Sequence, residues 1–569
     1  MEDMPSNSDP ELVSMDVARK LVTTLQSAGV RDVVICPGSR SAPLAYALAE
    51  SEAAGTLRLH VRIDERVAGF TALGLSLAGG APVPVVTTSG TGVGELLPAV
   101  MEANHVGAQL LVLSADRPTE LHGTGANQAT NQVDLFGVHV RASVDIEAGA
   151  DPAVPVAKAL KMARGSSTAA PGPVQINVAF RDPLVPSDED GLPAFGANVT
   201  HSPVGVDIAE SVDWARPGSG APLRTVVVAG HGAGPVAADF AHALGLPLFA
   251  EPSSNARFGP NAVGPYRTLL ARHMSHIQRV VLFGRPTLSR PVARLLNNAS
   301  IETALWTPAP APWFEEGKRR EKLISKASEL EAFAGTAPVG WLASWQKLAI
   351  SATNAIQQGI EGYGGLNGPL VAQEVWGTVR GNLVFGSSNV IRDADLCGTP
   401  ADKSAAHVYA NRGLAGIDGT IATATGIAQT RAGLKTTVLL GDVTFLHDVG
   451  GLLLGLGEPE PEMDVIVLND GGGAIFSTLE HGAVEESGRY ADAVERLFGT
   501  PHRVRIESLA AAYGWEYLAV DQMDGLRRVL GSTGPRRRLI EVVVRRSGLR
   551  ALHAEITEAV NALEWPESR

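Results

Sequence analysis

The sequence predicts an α/β protein of three doubly wound parallel sheets, divided at residues 1–190, 191–350 and 351–569. Two observations carry this. Short apolar runs alternate with stretches of helical periodicity, the signature of parallel strands joined by helices. Polar residues gather in the loops directly after the apolar runs, where open parallel sheets place their ligands. The length of 569 residues also exceeds what one core supports, since domains run to about 150 residues.

Near the start, ELVSMDVARKLVTTLQSAGV has helical periodicity and closes on Gly29. DVVICPGSRSAPLAYAL then reads as a strand, a Pro-Gly turn and a helix. The pattern recurs through RLHVRIDERVAGF, APVPVVTTSGTGVGELL and AQLLVLSADRP, and ends with GPVQINVAF at Gly172–Phe180. A Pro, Gly and Asp-rich passage, RDPLVPSDEDGLPAFGANVTHSPVG, reads as a linker. The second unit opens at LRTVVVAGHGAGPVAADFAHALGLPLFAE and continues through IQRVVLFGRPTLSRPVARLL, until PAPAPWFEEGKRREK breaks the pattern. The third opens near residue 350, with strands expected in GNLVFGSS, HVYANRG, TTVLLGD, MDVIVLND and RRLIEVVV.

Composition excludes several classes. Hydrophobic residues are 45% and charged residues 19%, a globular balance. No run of about 18 apolar residues is free of charges or breakers, so no membrane span is expected. The acidic, polar start MEDMPSNSDP is unlike a secretory or transit peptide. Cys36 and Cys397 are the only cysteines, too few for a disulfide framework or a Cys-rich zinc site, and the expected home is the cytoplasm. A net charge of −13 argues against non-specific nucleic-acid binding, so bound anions must meet individually placed arginines.

The central motif is a pair of strand ends. TTVLLGDVT delivers Gly441, Asp442, Val443 and Thr444, and 27 residues after Asp442, VIVLNDGGG delivers Asn469. Mg²⁺ takes about six oxygens and usually shares them between one or two protein groups, water and phosphate. Asp442, Asn469 and the backbone carbonyl of Gly471 would supply half a shell on a diphosphate, with Thr444 donating to a phosphate oxygen. Singly, each residue reads as well as a helix cap or a loop turn; the spacing makes the pair informative.

Four arginines, Arg40, Arg117, Arg392 and Arg412, fall in the post-strand loops CPGSRSAPL, SADRPTELHGTGANQ, SSNVIRDADL and ANRGLAGIDG. One such arginine is ordinarily a surface ion pair. Four in an acidic protein fit a pocket for substrates with several carboxylates, which guanidinium forks bind bidentately.

The Asp442–Asn469 pair resembles the metal motif of thiamine-diphosphate-dependent enzymes, Gly-Asp-Gly followed by Asn, with Val443 in place of the second Gly. PGSRSAPL, ADRP…GANQ, NRGLAGIDG and the Gly-Asp-Val-Thr variant are similar to one branch of that family. Its members decarboxylate 2-oxoglutarate and add the resulting four-carbon unit to isochorismate on the route to menaquinone. The resemblance covers essentially the whole chain and is strongest over residues 31–137 and 381–482. It implies a pyrimidine-binding domain, a middle domain and a diphosphate-binding domain, with thiamine diphosphate and Mg²⁺ (or Mn²⁺) as cofactors. It makes Glu65, in RIDERVAGF, the acid that activates the cofactor; the plainer reading is a first-turn acid favoured by the helix dipole. It makes Ile417 the wedge under the cofactor, with Ile475 and Phe476 packing its apolar side. Ser39, Arg40, Arg117, Asn127, Gln128, Ser388, Arg392 and Arg412 match substrate contacts, and Arg290 loosely matches another. It further implies a homodimer or homotetramer, because the glutamate of one subunit meets the metal motif of another.

Four other readings carry less. Gly230, Gly232 and Gly234 with Pro235 lack the third glycine of a dinucleotide fingerprint, leaving a tight strand–helix turn. His122 and His447 have no metal-ligand spacing. Another thiamine 2-keto acid decarboxylase needs fewer cations than the four arginines, and an inactive assembly subunit would not be expected to keep Glu65, Asp442 and Asn469 together.

Overall fold

Seventeen strands form three sheets in a computed structural model that describes residues 11–187, 212–217, 221–315, 317–403, 406–431 and 433–566. The first sheet holds β1 (Asp32–Ile35), β2 (Arg58–Val61), β3 (Val83–Thr87), β4 (Leu110–Asp116), β5 (Ser143–Ile146) and β6 (Val174–Ala179). The second holds β7 (Thr225–Ala229), β8 (Leu248–Ala250), β9 (Arg279–Phe283), β10 (Glu302–Trp306) and β11 (Lys322–Ile324). The third holds β12 (Gly381–Phe385), β13 (Ala406–Ala410), β14 (Thr436–Gly441), β15 (Met463–Asn469), β16 (Glu516–Val520) and β17 (Arg537–Val543). Every pairing within these sheets is parallel.

The orders are β2-β1-β3-β4-β6-β5 and β13-β12-β14-β15-β17-β16, so the first and third sheets repeat one topology. The second runs β11-β10-β9-β7-β8. Four strands went unread in the sequence: β5, β10, β11 and β16. Each lies at or next to a sheet edge, where partial exposure dilutes the continuous apolar run that marks a central strand. The expected linker lies outside the described residues from position 188 on, together with the boundary drawn at residue 190 and the first ten residues.

Central strands such as β4 are buried along their whole length because helices cover both faces. The helix Glu65–Gly79 shows how the sequence sets such a cover. Asp64 caps it by accepting from the Val67 N–H at 3.1 Å, a contact of about 1 kcal/mol. Gly80 ends it at φ 66°. The helix is buried on nearly all sides because it also packs on the helix Thr420–Thr430 of the third domain. The two approach through glycines: a Cβ on Gly74 would lie 2.0 Å from the Thr423 carbonyl oxygen, and one on Gly426 2.1 Å from that of Thr71. The first and third domains are thereby locked together within one chain.

Among the described residues, no helix is long and apolar enough to cross a membrane.

Candidate active site

β12 and β14 are neighbours whose connections leave in opposite directions, which opens a crevice at their carboxyl ends. A small cleft of about 60 Å³ occupies that place, lined by Ser387, Ser388 and Asn389 after β12, Gly441–Thr444 at the end of β14, and Asp470 with Gly472–Ile475 after β15. The helix Asp442–His447 starts directly on the strand end. Thr444 is therefore the third residue of a short helix that follows β14 without a loop.

Asp442 is almost wholly buried. Its Oδ1 accepts from the Val443 N–H at 2.7 Å, and its Oδ2 accepts from Gly471 and Gly472 at 2.8 and 2.9 Å. His502 Nε2 stands 3.1 Å from the same Oδ2 and must donate, since a carboxylate only accepts. Burial raises the Asp442 pKa, opposed by the His502 charge and the three N–H groups. Asn469 Oδ1 also accepts from the Gly471 N–H, at 3.1 Å. Its amide is prevented from flipping because its NH₂ donates to Glu541 Oε1 at 2.5 Å, and Glu541 Oε2 accepts from the Tyr517 hydroxyl at 2.5 Å. The Gly471 carbonyl accepts from His502 N at 3.2 Å and keeps a second lone pair.

A hard divalent cation fits this donor set. One carboxylate and one amide oxygen of fixed orientation meet at the Gly471 N–H, the Gly471 carbonyl follows in the same turn, and the cleft beside them is lined by the hydroxyl residues Ser387, Ser388 and Thr444. Among the described residues, no group of three His, Cys, Asp or Glu side chains is placed to hold a metal, so a cation here depends on these mixed oxygens.

The remaining residues singled out in the sequence divide into two sets. In the first, only Ser388 and Ile475 line the cleft itself. Ser388 takes the unusual φ of 80° at the start of the helix Asn389–Cys397, and its carbonyl accepts from Arg392 at 2.5 Å. Arg412 is fully buried; its Nε and Nη2 donate to Thr287 Oγ1 and the Thr287 carbonyl, both at 2.9 Å, and its Nη1 approaches Ser387 Oγ at 3.4 Å. Burial lowers its pKa to about 10. Ile475 lines the cleft. Phe476 turns toward the adjoining cavity and packs on Phe498 and His481. Ile417 is half-buried beyond the cleft lining. Arg290 is exposed and paired with Glu480 at 2.5 Å.

The second set lies at the carboxyl ends of the first sheet. Glu65 is half-buried, with Thr87 Oγ1 3.4 Å from its Oε1, and Gly92 is so close that a Cβ there would meet Oε1 at 2.6 Å. Arg117 is buried and donates to Ser89 Oγ and, at 3.1 Å, to the Gln128 carbonyl. Gln128 adopts φ 54° to present that carbonyl. Burial and the neighbouring charge of Arg40 lower the pKa of Arg117. Arg40 donates to the Phe180 carbonyl at 2.9 Å and leaves its buried Nε unpaired. Ser39 and Asn127 are exposed beside them. Among the described residues, no hydrogen bond or ion pair joins this set to the cleft of Asp442.

Sequence reasoning missed His502, Glu541, Tyr517, Thr287 and Ser89. They act across long sequence separations, 60 residues for His502 to Asp442 and 125 for Thr287 to Arg412, and carry no local motif. His122 and His447 contact Arg117 and Arg66.

The first domain defines the class. Residues 15–135 match the family model described as thiamine pyrophosphate enzyme, N-terminal TPP binding domain, which makes this a thiamine-diphosphate enzyme fold. Full-length relatives are narrower. The chain is 60% identical to the 2-succinyl-5-enolpyruvyl-6-hydroxy-3-cyclohexene-1-carboxylate synthase of Paenarthrobacter aurescens over 98% of both chains. It is 56% identical to the synthase of that name from Arthrobacter sp. (98% of this chain, 93% of the relative) and 53% identical to that of Renibacterium salmoninarum (96% and 98%). The chain belongs to the 2-succinyl-5-enolpyruvyl-6-hydroxy-3-cyclohexene-1-carboxylate synthase family.

Proposed function

We propose that the protein decarboxylates 2-oxoglutarate and adds the remaining succinyl-semialdehyde unit to isochorismate in a 1,4-addition, forming 2-succinyl-5-enolpyruvyl-6-hydroxy-3-cyclohexene-1-carboxylate for menaquinone biosynthesis. The observation that carries this is the near full-length identity of up to 60% to synthases of that name. Bound thiamine diphosphate supplies a carbon nucleophile and an electron sink for the loss of CO₂. Asp442, Asn469 and the Gly471 carbonyl would hold Mg²⁺, and the Thr444 hydroxyl would donate to the diphosphate.

Glu65 is the proton-exchanging acid, its Oε1 seated on Gly92 beside Thr87 Oγ1. Arg40 and Arg117, with Ser39, Asn127 and Gln128, orient carboxylates and hydroxyls from the first domain; Ser388, Arg392 and Arg412 do so from the third. Arg290 serves at the rim once Glu480 releases it. Ile417, Ile475 and Phe476 form the apolar wall. A second copy completes each site, Glu65 of one subunit meeting the metal motif of another in a homodimer or homotetramer, a reading supported by the membership of this family. The domains divide at residues 190 and 350, and the protein works in the cytoplasm.

The test follows isochorismate absorbance with thiamine diphosphate and Mg²⁺ present, with and without 2-oxoglutarate, beside Glu65→Gln. The expected result is loss that requires 2-oxoglutarate and falls by about 10²-fold or more in the variant. Undiminished isochorismate, with the cofactor demonstrably bound, rejects the substrate pair.

A further inference from the structure

Arg412 reaches the site from a segment that its own domain does not secure alone. The next two residues, Gly413 and Leu414, donate their backbone N–H groups to one carboxylate, Glu102, at 2.6 and 2.7 Å. Glu102 lies on the helix Leu97–Val106 of the first domain, 311 residues away in sequence, and is only 4% exposed. Burial raises its pKa, opposed by those two N–H groups and then by the charges of Arg412 and Arg285. The contact leaves no slack: a Cβ on Gly413 would lie 2.8 Å from the Glu102 carbonyl oxygen and 3.0 Å from its carboxyl. The guanidinium itself is gripped by Thr287 of the middle domain and Ser387 of the third. A buried carboxylate with two short bonds to a neighbouring domain's backbone is costly to desolvate, and returns rigidity at the segment it holds.

We infer that Glu102 and Thr287 are positioning residues for Arg412: the first and middle domains together set the angle at which this cation meets a substrate carboxylate. Arg412 is thus jointly placed by all three domains. Domain contacts far from the chemistry therefore govern substrate affinity. This inference rests on the proposed role of Arg412 in substrate binding.

The test uses the full-length enzyme with thiamine diphosphate and Mg²⁺. Glu102→Gln keeps the side-chain shape but offers one acceptor and turns an NH₂ toward the second N–H. The expected result is faster amide exchange across residues 411–416 and a KM raised about tenfold for the substrate that Arg412 holds, with a smaller change in kcat and an unchanged cofactor Kd. In an Arg412→Ala background, Glu102→Gln should add less than about twofold, since both changes act through one group. Thr287→Val, which removes the hydroxyl that accepts from Arg412 Nε, should give the same KM-selective loss and serves if Glu102→Gln does not fold. Unaltered exchange at 413–414, or a full additive loss in the Arg412→Ala background, overturns the inference. Amide exchange needs no substrate, so absence of isochorismate turnover in the wild type rejects the functional reading while the exchange result still decides the clamp.

Discussion

Asp442 and Asn469 aim side-chain oxygens at a single backbone N–H, that of Gly471, at 2.8 and 3.1 Å. Two acceptors sharing one donor mark a place where negative potential is concentrated and a cation would be favoured. Asp442→Ala should abolish Mg²⁺-dependent binding of thiamine diphosphate, and chelation of the metal should do the same to the wild type. Titration calorimetry with and without Mg²⁺ measures it; unchanged binding in the variant removes Asp442 from the site.

Glu541 fixes the Asn469 amide and is itself held by the Tyr517 hydroxyl. Residues that orient metal ligands typically govern affinity by about 10- to 100-fold. Glu541→Ala should therefore weaken Mg²⁺-dependent cofactor binding by about tenfold or more, and Tyr517→Phe by less. Equal effects of the two substitutions would mean that the amide is not oriented through this chain of bonds.

The Gly74–Gly426 crossing ties the first domain to the third. Alanine at position 74 would gain about 1 kcal/mol of helix propensity. The new methyl would lie 2.0 Å from a backbone oxygen that cannot turn aside, and overpacking of this kind costs about 1–3 kcal/mol. Gly74→Ala should thus lower the thermal midpoint. A raised midpoint would show that the two helices part without penalty.

Asp393 lines the cleft with its Oδ1 buried and unpaired. Burial raises its pKa to about 7 against the charges of Arg267 and Arg392. An unfolded aspartate titrates near about 3.9. The folded state therefore holds this proton more tightly, and the associated stability is present below about pH 4 and lost as pH rises through about 7. Glu251, raised to about 7, and Asp448, raised to about 6, act in the same direction, so the test is a difference. Asp393→Asn should flatten the decline in thermal midpoint between pH 5 and pH 8, with a relative gain on the order of 1 kcal/mol at the higher pH. Parallel pH profiles for variant and wild type would count against a titrating Asp393.

What was readable in the sequence were the features written in contiguous residues. Continuous apolar runs such as VVVA in β7 and VIVL in β15 give parallel strands, because burial on both faces demands them. The polar residues after those runs give the two sets of site residues, since chain direction alone carries Arg117 and Asp442 to the same end of their sheets. The edge strands β5, β11 and β16 escaped because an exposed edge relaxes the pattern.

Everything that depends on which strand lies beside which was decided by tertiary structure alone. The sequence determined that Asp442 and Asn469 stand at strand ends; the pairing of β14 with β15 brings their oxygens to one N–H. It determined that Arg412 follows a strand, while Glu102 and Thr287, 310 and 125 residues away, fix where that arginine stands. Local residue order encodes backbone preference and burial pattern. Hydrogen bonds between distant segments depend on sheet order and domain packing, which no short stretch of sequence contains.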